Sequence, residues 1–151
     1  MSLVLADAAA THAIGRALAP LLTTGDVVTL AGPLGAGKTS LARGVLDGLG
    51  FAGEVPSPSF PVVIGYAPPD VRLPLAHVDL YRIEDRGELD ELALDDALSD
   101  GAMLVEWPER LGARGWRHAL ALTLAMTDAQ AGARSLTWVV PPAWERRWPY
   151  R

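Results

Sequence analysis

One stretch constrains this chain more than any other. Gly32-Pro33-Leu34-Gly35-Ala36-Gly37-Lys38-Thr39 comes directly after the apolar, β-branched run Val27-Val28-Thr29-Leu30-Ala31 and directly before a helically patterned segment, Thr39 to Leu49. The first run has the character of a strand buried on both faces, and Gly48 and Gly50 supply a stop for the helix. A buried strand, a glycine-rich turn and a helix in that order place the chain in the α/β class, where each helix covers the sheet that precedes it.

The turn satisfies the pattern G-x-x-x-x-G-K-[ST], in the strand-to-helix context that its mechanism requires. Glycines at 32, 35 and 37 let the backbone curl so that successive amides point at one anion with no Cβ in the way. That anion then sits on the N-terminus of the following helix, where unpaired amides favour negative charge. The expected ligand is the phosphate tail of a nucleotide, bound by Gly32, Leu34, Gly35, Ala36, Gly37, Lys38, Thr39 and Ser40. Lys38 would reach the β- and γ-phosphates and the Thr39 hydroxyl would ligate Mg²⁺. Of thirteen cationic residues twelve are arginine, and Lys38 is the only lysine. A guanine-reading Asn-Lys-x-Asp element would need a second lysine, so ATP is favoured over GTP.

Such a site also needs an acid on a neighbouring strand to hold Mg²⁺ and a polar group to orient the attacking nucleophile. Glu106 closes the apolar run Ala102-Met103-Leu104-Val105, and Asp79 closes Leu75-Ala76-His77-Val78 in the same way. The carboxyl ends of strands converge beside the phosphate loop in a doubly wound sheet. Lys38, Asp79 and Glu106 are therefore the expected catalytic set, with Glu106 on the metal and Asp79 sharing its shell or positioning the nucleophile. His77, two residues before Asp79, reads most simply as structural and receives no role. His12 and His118 have no partner spacing for a metal. Tyr81 and Arg82 read either as packing and surface residues or as a switch segment sensing the γ-phosphate, and Trp107, Trp116 and Trp138 as packing residues.

The 151 residues suit a single domain over 1–140, built on a mainly parallel sheet flanked by helices with antiparallel additions, followed by an aromatic and basic tail at 141–151. Helical spacing covers 7–22, and three prolines make 55–61 a loop. Segments 62–66 and 73–80 pattern as a hairpin, and 118–126 and 135–140 as an antiparallel pair. Eight acids crowd 84–100, the pattern of a solvated acidic helix. A net charge of −5 argues against a broad nucleic-acid-gripping surface, and the absence of cysteine removes thiolate, disulfide and Cys-zinc chemistry. The N-terminus lacks a basic flank before Arg16, and there is no long apolar stretch to span a membrane, so a cytoplasmic protein is expected.

Leu34-Gly35-Ala36-Gly37-Lys38-Thr39, Ser57-Pro58-Ser59-Phe60, His77-Val78-Asp79-Leu80-Tyr81-Arg82 and Val105-Glu106-Trp107 together resemble, in order and spacing, the motifs of the TsaE (YjeE) family of tRNA threonylcarbamoyladenosine biosynthesis ATPases. The Asp-Leu-Tyr-Arg and Glu-Trp elements carry more of this resemblance than the phosphate loop, which many families share. It implies a single-domain P-loop ATPase, using ATP and Mg²⁺, that supports turnover of the TsaB–TsaD complex while TsaD performs the transfer to tRNA. Contact with tRNA would then be indirect. By the same resemblance the 55–61 loop, with Ser57 and Ser59, acts as a switch together with Tyr81, Arg82 and Trp107, and Arg134 lies beside the nucleotide base. Where the family usually has Ser-Pro-Thr this chain has Ser57-Pro58-Ser59, which keeps the hydroxyl and loses a methyl. Two other readings stay open: a small-molecule kinase whose lid carries Arg110, Arg114 and Arg117, and a nucleotide-gated binding module.

Overall fold

The computed structural model describes residues 1–56, 62–128 and 130–150, apart from the side chains of 113 and 114. In chain order its elements are β1 (Ser2–Leu5), α1 (Ala8–Leu18), β2 (Val27–Ala31), α2 (Lys38–Gly48), β3 (Val63–Tyr66), β4 (Leu75–Asp79), α3 (Arg86–Glu91), β5 (Ala102–Glu106), β6 (Leu120–Met126) and β7 (Arg134–Val139). The strands form one sheet in the order β1-β7-β6-β2-β5-β4-β3. Its centre, β6-β2-β5-β4, is parallel, and antiparallel strands extend it on both sides. Residues of β2, β4 and β5 are almost all buried, as expected of parallel strands covered on both faces.

Alternation along these strands divides the core in two. Leu75, Ala102 and Leu104 face the cluster under α1 and α2, while Ala76, Val78, Met103 and Val105 face a second, smaller cluster. Asp7 caps α1, its carboxylate accepting the Ala10 amide at 2.8 Å. The helix then tightens into a 3₁₀ turn at Ala19–Leu21 where Pro20 enters. The two helices cross through glycine: a Cβ on Gly15 would lie 2.1 Å from the Leu41 carbonyl oxygen, and one on Gly44 would lie 2.0 Å from that of His12.

Three segments depart from the sequence patterns. The acidic stretch is not one helix: α3 ends at Glu91, Ala93 takes a left-handed conformation (φ 49°), and a 3₁₀ segment runs from Leu94 to Ser99. A continuous helix would set acids of like charge one turn apart, as at Glu84 and Glu88 or Glu91 and Asp95. The break instead places Asp95 and Asp96 in the first turn of a new segment, where negative charge is favoured. The segment read as a tail packs onto its own domain. Trp144 is fully buried and Trp148 nearly so, both in the larger core, and Arg147 grips the buried Asp26 through two bonds of 2.6 and 3.0 Å. Finally, β1 gave no strand signal because it is a four-residue edge strand with Leu5 as its one buried side chain. Among the described residues no helix is long and apolar enough to cross a membrane.

Candidate nucleotide site

The glycine-rich loop adopts the positive-φ backbone that its glycines permit. Gly32 (φ 144°) lies against β6, where a Cβ would come 2.4 Å from the Leu124 carbonyl oxygen. Gly37 (φ 102°) is the N-terminal residue of α2 and packs beneath Thr11 of α1. No side chain caps α2, so its first-turn amides face the loop, as an anion site requires. Arg134 donates to the Gly35 carbonyl at 3.0 Å, tying β7 to the crest of the loop. Leu34 stands exposed beside it, and Ala36 is buried.

The two acids are brought together by register. Asp79 pairs with Glu106 across the parallel β4–β5 ladder, and Glu106 pairs with Leu30 at the end of β2, one residue before the strand passes toward the loop. Strand neighbours in register point to the same side, so both carboxylates share the α2 side of the sheet. A cleft of about 400 Å³ lies between them and the loop. Gly35, Gly37, Lys38, Thr39 and Ser40 form one wall; Asp79, Tyr81, Glu106 and Trp107 form the other. A larger, open hollow of about 840 Å³ lies beside Arg43, Asp47 and Phe51, away from both the loop amides and the acids.

Within the cleft each charged group has a partner. Lys38 is almost fully buried; its ammonium donates to the Gly32 carbonyl and sits 3.7 Å from the centre of the Trp107 ring. Burial pushes its pKa below the ordinary lysine value, opposed by the nearby carboxylates of Glu106, Asp79 and Glu109. Burial likewise raises the Asp79 carboxyl, with the Tyr81 amide lowering it, Glu106 raising it, and Lys38 and His77 lowering it. Asp79 Oδ1 accepts the Tyr81 amide at 2.9 Å, and Glu106 Oε2 lies 2.7 Å from His77 Nε2. Tyr81 and Trp107 pack ring against ring at 4.7 Å.

The structure thus gathers Lys38, Thr39, Ser40, Asp79, Glu106, Tyr81 and Trp107 at one cleft, with Arg134 at its rim. Ser57 and Ser59 lie outside the described residues. Arg82 is exposed just beyond the cleft, and Arg110 and Arg117 are exposed, Arg110 lying 6.0 Å from the Tyr81 ring. His12 pairs with Asp47 and His118 contacts the Gly25 carbonyl, both away from the cleft. Trp116 and Trp138 pack elsewhere, on Asp95 and on the C-terminal aromatics. Two features of the site were not read from sequence. One is the buried His77–Glu106 contact, which joins residues on different strands. The other is Thr11 beneath Gly37, a helix-to-loop contact that no local pattern announces.

Comparisons with known proteins bear on the family of the chain. Residues 5–136 match the family described as "Threonylcarbamoyl adenosine biosynthesis protein TsaE". A tRNA threonylcarbamoyladenosine biosynthesis protein TsaE of Streptomyces coelicolor is 47% identical over 97 residues, which cover 64% of this chain and 66% of that protein. A Mycobacterium bovis protein of the same name is 38% identical over 135 residues, covering 85% of this chain and 80% of the relative. The crystal structure of Bacillus subtilis YdiB superposes with a TM-score of 0.73 at 31% identity, over 91% of this chain and 83% of that one. The family match spans most of the sequence and includes the loop and both acids, so the chain belongs to the TsaE family.

Proposed function

We propose that this protein binds ATP with Mg²⁺ in the cleft, hydrolyses it in the cytoplasm, and through that cycle supports a TsaB–TsaD complex in the threonylcarbamoyladenosine modification of tRNA. The observation that carries the reading is a glycine loop and a lone buried lysine facing two in-register carboxylates across one cleft. The protein's donors suit Mg²⁺, which prefers hard oxygen and keeps part of its water shell. Thr39 and the oxygens of Asp79 and Glu106 not engaged by Tyr81 and His77 are available. Among the described residues no three acid or histidine side chains enclose a cation, so phosphate oxygens would complete the site. Bound there, the metal would neutralise charge on the phosphates.

In this reading Gly32 to Gly37 and the first turn of α2 cradle the phosphates, and Lys38 moves its ammonium from the Gly32 carbonyl to the β- and γ-oxygens. Asp79 and Glu106 hold the metal and orient the attacking water. Arg134 braces the loop near the base. The net charge of −5 fits contact with tRNA through partners. The test is ATP turnover with and without TsaB and TsaD, run alongside tRNA modification in a reconstituted mixture. Feeble turnover raised by the complex, and modification that requires this chain, are expected. Lys38→Ala should weaken nucleotide binding roughly 10- to 100-fold, the loss of one charge-assisted hydrogen bond. Turnover raised by a small metabolite and indifferent to the complex would favour the kinase reading, and modification that proceeds without this chain would overturn the proposal.

A further inference from the structure

Buried in the middle of β4 is a polar side chain that the proposed cycle has not used. His77 is fully buried, and its Nε2 lies 2.7 Å from Glu106 Oε2. Its other ring nitrogen, Nδ1, is equally buried and has no hydrogen-bond partner among the described residues. A carboxylate only accepts, so Nε2 is the ring nitrogen that donates across this contact. An apolar side chain of similar size would fill the same place without stranding a nitrogen. Packing therefore accounts for the ring's volume but not for its chemistry; the contact with Glu106 does.

Glu106 has three rotatable side-chain bonds and ends a strand that opens onto the cleft. Unheld, its carboxylate would sample several rotamers, only some of which present an oxygen to the phosphates. We infer that His77 is a positioning residue: by donating from Nε2 to Oε2 it locks the Glu106 carboxylate and leaves Oε1 as the oxygen offered to the cleft. This rests on the ATP-hydrolysing reading above for its consequence, but the hydrogen bond itself is independent of it. Register supplies the geometry. Asp79 stands beside Glu106 and His77 is two residues back on the same side of β4, so one ring can reach the glutamate without entering the cleft.

Two measurements test the inference. In wild-type protein without nucleotide, long-range ¹H–¹⁵N NMR of the imidazole should show the Nε2–H tautomer, and Glu106→Ala should shift that signal. An Nδ1–H tautomer, or a His77 signal indifferent to Glu106→Ala, overturns the inference whether or not the protein hydrolyses ATP. The second compares His77→Phe with His77→Gln in the reconstituted assembly. His77→Phe should lower kcat about 10- to 100-fold with ATP affinity nearly unchanged, the scale of losing a group that orients a metal ligand. His77→Gln, which keeps a donor in reach of Oε2, should recover most of that loss at equal or lower thermal stability. Equal kcat in wild type and His77→Phe overturns the inference, as does loss in both variants that follows their melting temperatures. If wild-type protein shows no turnover while the NMR result holds, the hydrolysis reading fails and the positioning contact stands.

Discussion

The two faces of the sheet are built on different terms. Under α1 and α2 two eleven-residue helices meet through Gly15 and Gly44, with backbone oxygens where side chains would otherwise go, over a broad core of leucine and valine. The opposite face is covered by the six-residue α3 and by 3₁₀ segments, with non-glycine residues Ala93 and Trp107 held at positive φ. The first face carries the glycine-rich loop, and Thr11 packs against Gly37 within it. The second takes up the chain as it leaves the acid-bearing ends of β4 and β5. Close packing holds the loop against α1 and α2, whereas the opposite face closes its smaller core with short elements. The faces meet where the Trp107 ring covers the Lys38 ammonium.

The harshest way to break this contrast is to add one methyl group to the tight face. Gly44→Ala places a Cβ where a backbone carbonyl already stands 2.0 Å away, so the helices must separate. A loss of about 3 kcal/mol in unfolding free energy is expected, the upper end of overpacking costs. The control is Gly65→Ala in β3, where a Cβ meets nothing within 4 Å and the change should stay within ~0.5 kcal/mol. Urea titrations of the two variants decide it: equal costs would mean that the helix crossing is not close-packed.

The border between the faces should show a cost of function. Asp79 is buried with its carboxyl raised above the ordinary range, chiefly by desolvation. A group that prefers its proton in the fold stabilises the protein below its unfolded value, and that contribution disappears as pH rises through the folded value. Asp79→Asn retains an acceptor for the Tyr81 amide and has no charge to desolvate. It should therefore be about 1 kcal/mol more stable than wild type at pH 7, an advantage that vanishes below pH ~4 where both are neutral. Its hydrolysis should fall about 100-fold or more. A variant less stable at pH 7 would show that the carboxylate serves the fold instead.

Much of the cradle was legible because its signals are local. Glycines at fixed offsets, a lone lysine and a β-branched run all lie within a few turns of chain, and the acids that close β4 and β5 follow apolar runs. The two hairpins were marked by turn residues. What stayed hidden depended on register or on distant partners. His77 and Glu106 are 29 positions apart and meet only because of how β4 and β5 align. The composition of residues 141–150 showed aromatic and basic character but not that Trp144 would fill a hole in the core or that Arg147 would find Asp26. The acidic stretch carries helical spacing of leucines, and the repulsion that breaks it is a property of the whole segment.

On the looser face, relief of strain should help. Ala93 sits in the left-handed region between α3 and the 3₁₀ segment that follows, a conformation that costs an alanine roughly 1–2 kcal/mol. Ala93→Gly removes that cost while adding freedom to the unfolded chain, so a net gain of about 0.5 kcal/mol is expected from the urea midpoint. A loss would show that the Ala93 methyl group makes a packing contact that outweighs the strain.

The smallest effect reaches across the border. Glu109 is exposed on the 3₁₀ segment beyond Trp107, yet its charge helps hold the proton on Lys38. Burial has already lowered that lysine, so nucleotide affinity should fade on the alkaline side at a lower pH than a free ammonium would dictate. Glu109→Gln removes an anion that favours the charged form, and the alkaline limb of nucleotide binding should move further down in pH, with affinity at pH 7 nearly unchanged. The shift should shrink as salt is added, because an exposed charge acts through screened solvent. A limb that stays put at low salt would mean that the second face does not reach the cradle electrostatically, leaving the Trp107 ring as the contact that joins them.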